Sequence, residues 1–98
     1  MNNPSKTSPE KYKSIIEKSQ EIHFEMYSQE DLGILFRFLT ASKKEARVLE
    51  LGTGTGLALS WILDGLGAIG VVVSVEKEAQ YLEFAASFFG DDSRLQLV

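Results

Sequence analysis

Three glycines at alternate positions, Gly52, Gly54 and Gly56, follow directly on the short apolar run from Arg47 to Leu51, whose single acid is Glu50. A second acid, Glu76, closes another apolar run, "GVVVSVE", 20 residues after Gly56. A glycine-rich turn between a strand and a helix brings the backbone itself close to a ligand, because no Cβ intervenes and positive φ is open. Carboxylates at the ends of two apolar strands can accept hydrogen bonds from the donor groups of a ligand. Glycines also make tight turns that bind nothing, but three at alternate positions in a strand-to-helix context favour a nucleotide cradle.

The spacing then separates two ligand classes. A dinucleotide fingerprint needs G-x-G-x-x-G, and Leu57 stands where its third glycine or alanine belongs. Glu50 places a carboxylate almost in the loop, which disfavours a pyrophosphate and favours a cationic ligand. Glu50 has a second reading as a structural anchor for neighbouring amides, since buried glutamates are rarely left without partners.

Other chemistry-bearing residues read as structural. His23, the sole histidine, lies on the flank of an amphipathic stretch and reads as a packed boundary residue rather than a base. Trp61 is expected to fill a helix–sheet interface. Asp91 and Asp92 lack a third ligand for a metal and are expected to form a turn.

The elements that must position these groups follow from periodicity. Residues 1 to 9 read as a tail, and Tyr12, Ile15, Ile16, Ile22 and Met26 recur at helical spacing after Pro9. Ser28 and Asp31 resemble a capping box, and Leu32, Leu35, Phe36 and Leu39 continue as the apolar face of a second helix to about Ser42. After the strand at 47 to 51 and the glycines, "LALSWILDGL" is apolar around most of its circumference, with Ser60 and Asp64 as one polar line and Gly67 as its stop. The β-branched run ending at Glu76 reads as a parallel strand covered on both faces. Ala79, Leu82, Ala85, Ala86 and Phe89 share one face of a further helix, and "SRLQLV" starts another strand. The order strand, helix, strand, helix, strand predicts an α/β fold: a Rossmann-like parallel sheet with helical cover, preceded by two amphipathic helices.

Composition bounds the function classes. A 98-residue chain is one domain with a thin core, and without cysteine it has no disulfide or thiolate zinc site to reinforce it. Residues 1 to 47 carry eight basic and seven acidic side chains, whereas 48 to 98 carry two and seven. The glycine-rich half is therefore acidic and repels nucleic-acid phosphate. No apolar run approaches the roughly 20 residues of a membrane span, and "MNNPSKTSPE" lacks the order of a secretory signal, so neither nucleic acid nor membrane is an expected partner and a cytoplasmic location is expected.

"VLELGTGTG" resembles the first motif of class I S-adenosylmethionine-dependent methyltransferases, and "VVVSVEKE" the acidic end of their second strand. "YSQEDLGILFRFLTASKKEA" is similar to the helix that introduces the first strand in many small-molecule O-methyltransferases. The resemblance covers residues from about 27 to 98. It implies S-adenosyl-L-methionine as cofactor, with Gly52, Thr53, Gly54 and Gly56 forming the cradle, Glu50 holding the amino end and Glu76 accepting from both ribose hydroxyls. Lys77 departs from the apolar residue the family often places after its ribose acid.

The same resemblance implies a domain division, with a tail and helix in 1–26 and a partial cofactor-binding domain in 27–98 that is incomplete after its third strand. A complete enzyme would transfer a methyl group to a small-molecule acceptor. The alternative is a non-catalytic nucleotide-binding or interaction module that assembles with a second chain. In the family's strand order the first strand pairs on its far side with a fourth, so an open edge at 47 to 51 is expected to self-associate or to take up a complementing chain.

Overall fold

The computed structural model describes residues 8–21 and 30–98. The expectations for the tail at 1–7, for Ile22, His23 and Met26, and for the cap at Ser28 fall outside them. Four helices, α1 (Tyr12–Glu21), α2 (Glu30–Ala41), α3 (Leu57–Gly65) and α4 (Ala79–Phe89), combine with strands β1 (Arg47–Leu51), β2 (Val71–Val75) and β3 (Leu95–Leu97). The strands form one parallel sheet in the order β1-β2-β3. The predicted strand-helix alternation is what folds.

Because the chain steps across the sheet in one direction through right-handed crossovers, α3 and α4 lie on the same face. That face holds the core. Val72 and Ser74 of β2 are buried on it, and Leu57, Leu59, Ile62 and Leu63 bury most of the circumference of α3, as its all-round apolarity predicts. Ile15 of α1, Ala46 and Phe89 of α4 complete the cluster. Leu66 adopts an extended conformation, and its N–H closes the helix on Ile62 O and Leu63 O, so α3 stops at Gly65 rather than at Gly67. On the opposite face Leu49, Leu51 and Val71 are exposed.

Three packing expectations are corrected. Of the apolar face predicted for α2, Phe36 packs against the core, but Leu32, Leu35 and Leu39 are exposed, and Gly33 and Thr40 are buried. The helices approach so closely that a Cβ on Gly33 would stand 2.3 Å from the Trp61 indole, and Thr40 donates to Ile62 O. Trp61, expected between helix and sheet, is wholly buried between helices. The Tyr12 ring meets it edge-on with centroids 5.3 Å apart, the Arg37 guanidinium lies 4.7 Å from its centroid, and its Nε1 has no hydrogen-bond partner. Ala79 and Ala86, predicted on the packed face of α4, are exposed, whereas Ala85 and Phe89 are buried.

The Asp91–Asp92 segment is a turn. Asp92 receives two hydrogen bonds from the Arg94 guanidinium at 2.7 and 2.9 Å, which hold its carboxyl below the usual carboxylate range. Among the described residues no helix is long and apolar enough to cross a membrane, and no group of three His, Cys, Asp or Glu side chains is placed to hold a metal ion.

Candidate functional site

The carboxyl ends of β1 and β2 meet at the glycine turn, the position where open parallel sheets bind ligands. Gly52, Gly54 and Gly56 have φ of 90°, 55° and 93°, a backbone that residues with a Cβ rarely adopt. The N–H groups of Gly52 and Thr53 both point to Val75 O, at 2.7 and 3.1 Å, and pin the start of the turn to the end of β2. Gly56 ends the turn as the N-cap of α3.

The three glycines differ in their surroundings. A Cβ built on Gly52 would meet nothing within 4 Å, so the backbone there faces open space. On Gly56 it would come within 3.3 Å of the Phe89 ring, so this glycine also lets α3 sit against α4. Gly54 presents its N–H to Glu76 Oε1 at 2.8 Å. The other oxygen, Oε2, accepts from Glu78 N–H at 3.0 Å. Glu76 therefore ties the turn to the segment leading into α4, and each carboxylate oxygen keeps a lone-pair direction for another donor.

Glu50 belongs to a hydrogen-bonded chain that crosses the two strands. The parallel register makes Ser74 its partner on β2, and Ser74 Oγ donates to Glu50 Oε1 at 2.5 Å. Thr53 Oγ1 lies 2.6 Å from Ser74 Oγ. With the Ser74 proton committed to Glu50, Thr53 donates to Ser74. Burial pushes the Glu50 carboxyl up from 4.5 to about 7; the Ser74 hydrogen bond opposes this, and the negative charge of Glu76 adds to it. A positive charge placed beside the carboxyl would favour its ionised form and oppose that rise.

Ser74 was not singled out from the sequence. The signal was present as a lone hydroxyl inside an apolar strand, but its partner became identifiable only with the β1–β2 register. Thr55, buried in the turn, has its partner in α1: Ser19 Oγ lies 2.8 Å from Thr55 Oγ1. Lys77 is exposed beside Glu76.

No family model matches the chain. Over 60 residues it is 33% identical to a Mycobacterium leprae protein named for O-methyltransferase activity, an alignment that takes in 61% of this chain and 27% of that protein. The fold matches an O-methyltransferase from Bacillus cereus solved in complex with S-adenosylhomocysteine (SAH), with a TM-score of 0.79 at 17% identity, covering 100% of this chain and 44% of that one. It also matches an O-methyltransferase of tomaymycin synthesis from Streptomyces achromogenes solved with S-adenosylmethionine (SAM), with a TM-score of 0.76 at 21% identity, covering 99% and 43%. The chain thus spans about a quarter of the curated relative and less than half of each solved one. These likenesses define a Rossmann-like α/β fold of the class I methyltransferase type. Within that fold the chain corresponds to the N-terminal half, α1 included.

Proposed function

We propose that this chain is the cofactor-binding part of a SAM-dependent methyltransferase acting on a small-molecule acceptor, with residues 27–98 as the binding unit. The observation that carries the reading is the turn itself: three left-handed glycines, open space at Gly52, and a carboxyl on either side. Gly52, Thr53, Gly54 and Gly56 supply the backbone cradle. Glu50, a part-buried acid with no counter-charge among the described residues, suits the ammonium of the methionyl part. Glu76 suits the paired ribose hydroxyls, with Gly54 N–H and Glu78 N–H fixing its orientation. When bound, the cofactor supplies an electrophilic methyl group on a sulfonium. The role of this chain's own residues is to bind and orient it.

Calorimetry with SAM, SAH and NAD tests the reading. Binding of SAM and SAH without NAD is expected, and Glu76→Ala should weaken SAH binding by about 1.5–3 kcal/mol, the range for hydrogen bonds to a charged group. NAD binding with no response to SAM or SAH would reject the assignment.

The β1 edge favours a second element of the proposal, that the chain takes up a complementing strand. Ala46 O accepts from Val71 N–H, and Gly52 N–H donates to Val75 O. Strand backbone alternates sides with period two, so Arg47, Leu49 and Leu51 turn their N–H and C=O groups to the open edge. Beside that edge runs a groove of about 430 Å³ lined by Phe36, Leu39, Ala46, Val48 and Ile62. The resemblance implies a fourth strand at that edge, and such a strand would fill the groove while pairing with β1. Without it, methyl transfer by this chain alone is not expected.

A further inference from the structure

Helix α1 precedes the sequence motifs, yet it reaches the glycine turn. Ser19 and Thr55 are both 1% exposed, and their hydroxyl oxygens are 2.8 Å apart. Ser19 Oγ also lies 2.6 Å from Ile15 O in its own helix. Ser19 Oγ is the donor in both contacts, so its single proton is shared between Ile15 O and Thr55 Oγ1. Thr55 stands between Gly54 and Gly56, whose left-handed conformations shape the turn. The partner that orients its side chain therefore comes from α1.

Further contacts of α1 and of Lys11 just before it hold the helix down. Ile15 is wholly buried, the Tyr12 ring packs against Trp61, and the Lys11 ammonium donates to Phe88 O and lies 5.1 Å from the centre of the Phe89 ring. If α1 lifts, the Thr55 hydroxyl loses its buried donor and the turn loses a constraint. A ligand that needs the ordered turn binds the docked state more tightly, and by linkage it must stabilise docking by the same factor.

We propose that docking of α1 and occupancy of the glycine turn are one coupled equilibrium, with Ser19 as the positioning residue that transmits it through Thr55. The proposal rests on the cofactor reading above, and its test separates the two. Hydrogen exchange of the α1 amides at 15–21 and the emission of Trp61, which touches α1 through Tyr12, are followed in the whole chain with and without saturating SAH. Slower exchange at 15–21 on adding SAH is expected. Ser19→Ala should weaken SAH by about 2–10-fold, the worth of one hydrogen bond, and should shrink the SAH-induced slowing. Ser19→Ala combined with Thr55→Ala should be no weaker than the poorer single variant, because both remove one interaction. Unchanged exchange at 15–21 in wild type that demonstrably binds SAH overturns the coupling and leaves the cofactor reading standing. Wild-type affinity in a folded Ser19→Ala does the same. Failure of wild type to bind SAH overturns both. The exchange measurement needs no variant, so the proposal stays refutable if Ser19→Ala does not fold.

Discussion

Replacing Glu50 by glutamine removes an acid that burial pushes up to about 7, while leaving an oxygen to accept from Ser74. In the unfolded chain this carboxyl titrates near 4.5. Between those values the folded state holds a proton that the unfolded state has released, so stability falls as pH rises through the window and the whole cost is present above 7. At about 1.36 kcal/mol per pH unit the rise from 4.5 to about 7 sets an upper limit of about 3.4 kcal/mol. Discounted for the solvent that the part-buried side chain still reaches, about 2–3 kcal/mol remains. Glu50→Gln should therefore be more stable than wild type by that amount at pH 8, a midpoint rise on the order of 10 °C in a chain this small. Near pH 4.5 the advantage should vanish, because the wild-type carboxyl is then neutral in the folded state and costs little. Urea unfolding of both proteins at several pH values measures the difference, in which the other titrating groups cancel. An equal gap at all pH values, or a variant less stable at pH 8, would refute the assignment of the cost to Glu50. The same substitution removes the charge offered to a cationic ligand, so the stabilised variant should bind SAH more weakly than wild type.

Gly33→Ala puts a methyl group into the Trp61 indole and should cost about 1–3 kcal/mol by overpacking, read as a lower urea midpoint with an altered Trp61 emission. Leu49→Lys places a charge on the open edge of β1: if that edge takes part in association, light scattering across a concentration series should show wild type growing in mass and the variant remaining a monomer. A wild type that stays monomeric at high concentration would indicate that the edge does not drive association.

The elements were legible where local chemistry decides them. The β-branched run at 71–75 and the glycines at 52–56 name a strand and a turn without reference to anything distant. What periodicity cannot supply is the neighbour. Leu32, Leu35 and Leu39 share an apolar stripe, but α3 approaches α2 through Gly33, where the absence of a side chain admits Trp61 and no apolar pattern marks the contact. The strand order came from the resemblance, not from the residues. Ser74 and Thr55 show the same limit at the candidate site. Each is a buried hydroxyl whose partner, Glu50 or Ser19, lies 24 or 36 residues away in the chain. Only register or helix docking brings those pairs together, whereas Glu76 lay at a strand end and was readable as an acid facing the turn.

The order β1-β2-β3 also has a bearing on synthesis. β2 and β3 each pair with the strand made just before them, after a crossover of a single short helix, so neither waits for a later strand before its first ladder can form. Closing such near-neighbour contacts costs little loop entropy, and the sheet can grow strand by strand as the polypeptide leaves the ribosome. Among the described residues the outer edge of β1 has no such early partner. Of the three strands described it is made first and stays unpaired on that side throughout the growth of the other two, so within this sheet it is the surface a nascent-chain chaperone would meet for longest.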